Sequence, residues 1–416
     1  MTSSAILDTT TESTPIPITK PVFDQTEKDA IARVLESGWV VQGPNVAQFE
    51  KLFAEFTGSR HAIATTSCTT ALHLALIAAG IGPGDEVIVP ALTFVATANA
   101  VDYVGARPIF VDISLDTYNL DLNSLQACIQ ARTRQSNNRL RAIIPVSLFG
   151  LCAPMPEINA LAEKYNLLVI EDAACAAGAK RGKHHAGTEA LAGCFSFHPR
   201  KAITTGEGGM VITDDDKLAA SIRKLRDHGA SKTDLERHLK QGGSLLPAYD
   251  ELGYNFRMTD IQGALGVAQM AKLRTILDGR HQVAQRYDEL LRGLPELKRP
   301  VVPSGYHHGY QSYVCMYLPD GPVTSDGSFR NIQRIESSNR LRNRLMDHLE
   351  HHKISVRQGT HAVHTLGYYQ EKYGLMDRDF VAAYAADRLT ITLPLYVGMT
   401  ELEQVRVVET IAGFTQ

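Results

Sequence analysis

A lysine and an aspartate, each placed just past an apolar run, are the side chains best suited to do chemistry. Lys201 lies in GCFSFHPRKAITTGEGGMVITDDD (193–216), in a glycine-rich turn between strand-like runs at 193–198 and 208–213. Most lysines are solvated surface charges. One held in a cleft beside a buried strand is desolvated, which is expected to lower its pKa and free the amine to attack a carbonyl. Asp172 closes the run LLVIED (167–172) and is followed only by small residues. That pattern predicts a buried parallel strand whose carboxyl end lies where open α/β sheets bind ligands. Taken alone, Asp172 is also readable as a helix N-cap. Together the two fit pyridoxal 5'-phosphate, which attaches to a lysine and needs an anion opposite its pyridinium nitrogen.

Such a cofactor needs a phosphate cradle and a cover for its ring. Ser67-Cys68-Thr69-Thr70 stands between a strand-like run (62–66) and an apolar helix (69–79). Small hydroxyl residues opening a buried helix can gather N–H groups, dipole and hydroxyls on one phosphate; the bland alternative is a plain Ser/Thr N-cap. Phe94 follows the strand at 86–90 and is placed either to stack on a heteroaromatic ring or to fill the core. Trp39, the single tryptophan, sits in the loop SGWVVQGPNV as a core plug or a lid. His361 and His364 share RQGTHAVHTLGYYQEKYG with three tyrosines and could contact a polar substrate. His348 and His352 have ligand spacing but no third partner, so no metal is expected.

The elements that must position these residues follow an alternating order. Seven strand-like runs, at 62–66, 86–90, 107–112, 142–149, 167–172, 193–198 and 208–213, alternate with helical stretches. That pattern demands an α/β fold with a mostly parallel, seven-stranded sheet covered on both faces. A long helix opens at Thr259-Asp260 and runs through 291. Its downstream neighbours have a different grammar, read as a smaller C-terminal α+β domain. The expected organisation is a disordered arm over 1–15, a large domain over 16–279 and a small one over 280–416.

Composition narrows the function classes. The 416 residues carry 42 basic and 45 acidic side chains, a net charge of −3 without a basic block, which argues against nucleic-acid binding. No run of apolar residues is long enough to span a membrane. The GIGPGD stretch follows a helix and lacks the third glycine of a dinucleotide fingerprint. Six scattered cysteines without a CxxC pair, and a polar N-terminus without a signal-peptide core, point to a reduced, cytoplasmic protein.

Several stretches in this order carry a resemblance: SGWVVQGPNVAQFE, TTSCTTALHLAL, GPGDEVIVPALTFVATANAV, VIEDAACAAGA, FSFHPRKAITTGEGGM, LGYNFRMTDIQGALGVAQ and ITLPLYVGMT. From about residue 17 to 414 the chain resembles the DegT/DnrJ/EryC1/StrS family of pyridoxal-phosphate sugar aminotransferases, of aspartate aminotransferase fold type I. The resemblance implies that Lys201 is the Schiff-base lysine and proton carrier, and Asp172 the pyridinium partner. It implies Ser196, Cys68 and Thr69 as phosphate ligands and Phe94 as the stacking aromatic. Asn255 or Arg257, in GYNFR, would reach the phosphate of the neighbouring subunit, making a homodimer the minimal active unit. Cys175 stands where the family commonly has Gln or His near the cofactor's 3-hydroxyl. The implied activity is amino transfer, from glutamate or another donor, to a keto sugar carried on a nucleotide. Alternatives are a sugar dehydratase, whose relatives replace the lysine by histidine, an aminotransferase acting on a non-sugar ring, or a non-catalytic regulator of the same fold.

Overall fold

The computed structural model describes residues 14–134, 138–232, 246–319, 321 and 332–415. Most of the arm expected at 1–15, and most of the Gly/Ser/Asp-rich loop at 320–328, lie outside the described residues.

Seven strands build the main sheet: β1 His61–Thr65, β2 Glu86–Pro90, β3 Arg107–Val111, β4 Leu140–Ile143, β5 Leu168–Asp172, β6 Ala192–Ser196 and β7 Gly209–Thr213. Their spatial order is β1-β7-β6-β5-β4-β2-β3. β7 runs antiparallel to both neighbours, and the other pairs are parallel. The mostly parallel α/β sheet expected from the alternating order is therefore present. Helices cover both faces, which explains why Val87–Val89 and Val169-Ile170 are buried without alternation.

One strand is shorter than expected. The run at 142–149 leaves the ladder after Ile143, because Pro145 has no N–H to donate. Val146 regains a single bridge to Asp172, and Leu148–Gly150 then turns as a 3-10 helix. Gly150 takes φ +105°, and a Cβ there would lie 2.9 Å from the backbone nitrogens of Tyr310 and Gln311. That close approach seats the segment carrying Gln311 against the sheet's carboxyl edge.

The helix Asp260–Leu290, 31 residues long, opens with a capping box on Thr259 and packs on helices Gln25–Ser37 and Pro44–Thr57. It passes without a break through residue 280. Its last turns, with Val283, Ala284 and Tyr287, enter a second core built on the antiparallel strands Leu297–Lys298, Tyr313–Tyr317 and Thr390–Leu393. Strand Tyr313–Tyr317 serves two cores by the period-2 rule. Tyr313, Cys315 and Tyr317 face the second core, while Val314 and Met316 face the main one. The N-terminal segment also joins this second unit: Ile16 bridges Ile354, and Leu395 N–H donates to the Ile18 carbonyl at 3.0 Å. All six cysteines are free thiols.

Candidate active site

A cleft of about 570 Å³ opens at the carboxyl edge of the sheet, between it and the second unit. Register decides what meets there. Thr65 pairs with Gly209, Gly209 with Ser196, and Asp172 with Cys194, so the ends of β1, β5 and β6 and the start of β7 share one edge. Lys201, Asp172, Cys175, Ser196, Cys68, Thr69 and Phe94 all line the cleft, as does His361. His361 arrives from the far end of the chain by pairing with Thr93, next to Phe94.

Asp172 is 4% exposed. Thr97 Oγ1 donates to its Oδ2 at 2.7 Å and Ala174 N–H to its Oδ1 at 3.1 Å, while Thr93 and Thr97 hydroxyls lie 2.8 Å apart. The single Thr97 proton goes to the carboxylate, so Thr93 donates to Thr97, a relay ending on the acid. Burial raises the carboxyl above its ordinary value, and Thr97, the Ala174 N–H and Lys201 pull it back. A buried carboxylate so placed invites a cation.

Lys201 Nζ lies 3.1 Å from Cys175 Sγ. Burial alone would lower its pKa, as expected from the sequence, but Cys175, Cys68 and Asp172 outweigh it. The amine is held above the usual lysine value. The expectation of a lowered pKa is thus corrected: it weighed the burial of the turn and not the thiols and acid converging from other segments.

Ser67 caps the helix Cys68–Ala78, its Oγ accepting from Thr70 N–H at 3.1 Å. The first N–H groups, those of Cys68 and Thr69, remain at the positive end of the helix dipole, facing the cleft. Gly209 makes this cradle possible, since a Cβ there would lie 2.3 Å from the Ser67 carbonyl and 2.6 Å from Cys68 N. Phe94 is 63% exposed within the cleft, an aromatic face without a cover. The residues present therefore fit pyridoxal phosphate: an amine to anchor it, an acid for its ring nitrogen, a face to stack on and a helix end for its phosphate.

Four residues singled out from the sequence lie elsewhere. His364 is fully buried, its Nε2 3.2 Å from the Asp377 carbonyl and its ring edge-on to Phe380, so it does not reach the cleft. Trp39 folds back on its own loop, Nε1 donating to the Gln42 carbonyl at 3.2 Å, and does not line the cleft. Asn255 is exposed, and Arg257 is ion-paired with Asp227. Both stand outside this chain's cleft, although the Phe256 carbonyl between them accepts Thr66 N–H at 3.1 Å and ties their segment to the phosphate turn. The sequence reading missed Thr97, which holds Asp172, and His198, Arg200, Gln311 and Arg357, which line the cleft. Thr97 had a signal, a hydroxyl one helical turn past Thr93. The second-unit residues had none.

A buried acid, a lysine and a helix-end phosphate cradle on one mostly parallel sheet define the class: a pyridoxal-phosphate enzyme of the aspartate aminotransferase fold. The chain belongs to the DegT/DnrJ/EryC1/StrS aminotransferase family, whose model matches residues 21–412. It is 37% identical to the spore coat polysaccharide biosynthesis protein SpsC of Bacillus subtilis over 95% of this chain and 96% of that one. It is also 37% identical to the GDP-perosamine synthase of Caulobacter vibrioides, over 94% and 96%. The putative sugar aminotransferase Spr1654 from Streptococcus pneumoniae, solved in its PLP form, superposes with a TM-score of 0.83 at 25% identity, covering 96% of this chain and 98% of that one. The protein is thus an aminotransferase that depends on pyridoxal phosphate.

Proposed function

We propose that this enzyme moves an amino group from glutamate, or another amino-acid donor, to a keto sugar carried on a nucleotide, within amino-sugar biosynthesis. The observation that carries the reading is the convergence of Lys201, Asp172, Ser196 and the Ser67–Thr69 turn on one cleft. The GDP-perosamine synthase relative supports a nucleotide-linked sugar as acceptor.

When bound, pyridoxal phosphate supplies the electron sink for charge developing on the substrate carbon. The chain's residues do the rest. Lys201 would anchor the cofactor covalently and would carry the proton to and from the substrate carbon. Asp172, held by Thr97 and the Ala174 N–H, keeps a proton on the ring nitrogen. Cys68 and Thr69 N–H groups, the Thr69 hydroxyl and Ser196 would hold the phosphate, and Phe94 would cover one ring face. Cys175 sits beside Lys201 and would lie next to the bound cofactor. His361 faces the acceptor. Asn255 or Arg257 serves the phosphate of a second subunit, which makes a homodimer the working unit. Six free thiols support a reducing compartment, the cytoplasm; no described helix is long and apolar enough to cross a membrane.

Borohydride reduction followed by peptide mapping tests the anchor: the cofactor's mass is expected on the peptide containing Lys201. Lys201→Ala is expected to lose both that label and turnover; unchanged turnover would defeat the assignment. Glutamate with a panel of nucleotide-linked 3- and 4-keto sugars tests the acceptor, with formation of the amino sugar read by mass spectrometry.

A further inference from the structure

One wall of the cleft is a loop from the second unit, and a buried acid behind it fixes which chemical group that wall presents. Gln358, Gly359, Thr360 and His361 all line the cleft. Gly359 N–H donates to Thr390 Oγ1 at 3.2 Å, and a Cβ at this glycine would lie 2.7 Å from that oxygen, so the loop is seated closely at its middle. His361 pairs with Thr93, next to Phe94, which sets the loop beside the aromatic that fits the cofactor ring. Asp387, 3% exposed near the end of the helix Val381–Leu389, packs behind Gln358.

The Gln358 amide has a fixed polarity. Its Nε2 donates to Asp387 Oδ1 and to the Thr360 carbonyl, the latter at 3.2 Å. Burial raises the Asp387 carboxyl to about 6 against the pull of Arg388, His361, Arg342 and the Ala362 N–H, so it is ionised at neutral pH. A carboxylate and a backbone carbonyl can only accept. The NH2 end of the amide must therefore face them, and its two hydrogens are both used. That leaves Gln358 Oε1, to which no group among the described residues donates. A carbonyl oxygen held on a cleft wall takes an O–H or N–H group and gives nothing to an anion. A keto sugar carries hydroxyls on its ring, and the loop borders the place of the reacting ring, so a sugar hydroxyl is the source favoured over a nucleobase N–H.

We propose that Gln358 is a specificity-determining residue for the acceptor: its Oε1 accepts a hydrogen bond from a sugar hydroxyl, and Asp387 is the positioning residue that holds the amide in that sense. The proposal rests on the keto-sugar reading above and adds the side chain that sorts one sugar from another.

The holoenzyme and its Gln358→Met and Asp387→Asn variants are assayed with nucleotide-linked 3- and 4-keto sugars, with analogues deoxygenated one carbon at a time, and with the same sugar on a different base. Melting temperature and cofactor absorbance check folding. If Gln358→Met does not fold, the double variant Gln358→Met/Asp387→Asn removes the unpaired buried charge. In wild type, kcat/KM is expected to fall roughly 2- to 12-fold on loss of one particular hydroxyl, as for one neutral hydrogen bond. Gln358→Met should lose the same factor on the parent sugar and nothing further on that deoxy analogue. Asp387→Asn frees the amide to turn either way, so part of the loss should appear there, in the acceptor KM and not in kcat. Equal discrimination by wild type and Gln358→Met against every deoxy analogue overturns the proposal, as does a loss that follows the base instead of a hydroxyl. Asp387→Asn with the wild-type acceptor KM overturns the positioning role. Wild type that aminates no keto sugar at all overturns the acceptor reading and this proposal with it, an outcome told apart by the absence of product before any variant is made.

Discussion

Replacing Thr97 with valine isolates the hydrogen bond that holds the ring-nitrogen acid. Thr97 is fully buried and its hydroxyl donates to Asp172 Oδ2 at 2.7 Å. Valine keeps the branched shape and deletes only the donor. A hydrogen bond to a charged acceptor contributes about 1.5–3 kcal/mol, which converts to roughly 10- to 150-fold in an equilibrium constant. The loss acts in one direction. Burial already raises the Asp172 carboxyl, and Thr97 is the first of the groups pulling it down, so its removal raises the carboxyl further. A carboxyl pushed higher is a poorer partner for a protonated ring nitrogen. Cofactor dissociation, measured by equilibrium dialysis, should weaken by about 10-fold or more, and turnover should fall with it. Thr93→Val removes only the neutral donor one step back along the relay, worth about 0.5–1.5 kcal/mol. Its effect should be clearly smaller. In an Asp172→Asn background the Thr97→Val effect should largely vanish, because the charged partner is gone. Cofactor affinity and turnover within twofold of wild type in Thr97→Val, or equal effects at Thr93 and Thr97, would refute the relay.

Two further perturbations follow from the same edge of the sheet. Gly209→Ala places a methyl 2.3 Å from the Ser67 carbonyl, and the contact is backbone on both sides. We expect the phosphate turn to be displaced, with cofactor affinity down at least about tenfold and stability down by about 1–3 kcal/mol, read by dialysis and thermal melts. Glu171, beside Asp172 in sequence but turned to the other face, is fully buried; burial raises it to about 7 against the Ser147 hydroxyl and the Gly187 N–H. The native state therefore keeps a proton that the unfolded chain releases near 4.5, so this stabilisation is complete below 4.5 and is lost as pH rises through 7. Between pH 5 and 8, wild type should lose about 2–3 kcal/mol relative to Glu171→Gln in urea unfolding. Parallel pH profiles for the two proteins would rule out the buried, protonated acid.

How much of this was legible in the sequence depended on whether a residue's partners were near it in the chain. The seven strands announced themselves as apolar runs, and the acid at the end of β5 and the hydroxyls after β1 marked the carboxyl edge without any tertiary knowledge. Thr97 was within reach of the same logic, since it follows Phe94 by three residues, but a helical threonine carries no sign of the acid it will meet. Arg357 and Gln311 were out of reach, because only the packing of the second unit brings them to Lys201. His364 misled for the converse reason. Three residues from His361 on a turn-rich segment, it looked equally available, yet the turn at Val363–Thr365 points it inward beneath Phe380. The Lys201 pKa failed in the same way: burial is visible in local sequence, and the thiols of Cys175 and Cys68 are not.

The one antiparallel strand of the main sheet explains why so short a segment can carry the anchor. In a wholly parallel sheet the chain leaving β6 would need a crossover of a dozen or more residues, usually a helix, before adding the next strand. Here β7 reverses direction, so the chain leaves Ser196 at the carboxyl edge and re-enters at Gly209 on the same edge, with Lys201 in the turn between them. Lys201 is thereby held over the sheet end by a tight loop, its backbone N–H donating to the His198 carbonyl at 2.8 Å. β1 pairs on the far side of β7 and is antiparallel to it, so its own carboxyl end returns to that edge and delivers Ser67 against Gly209. Were β7 parallel to its neighbours, the lysine, the phosphate cradle and Asp172 could not meet within one cleft through connections this short. The reversal of a single strand thus brings anchor, acid and cradle to one edge of the sheet.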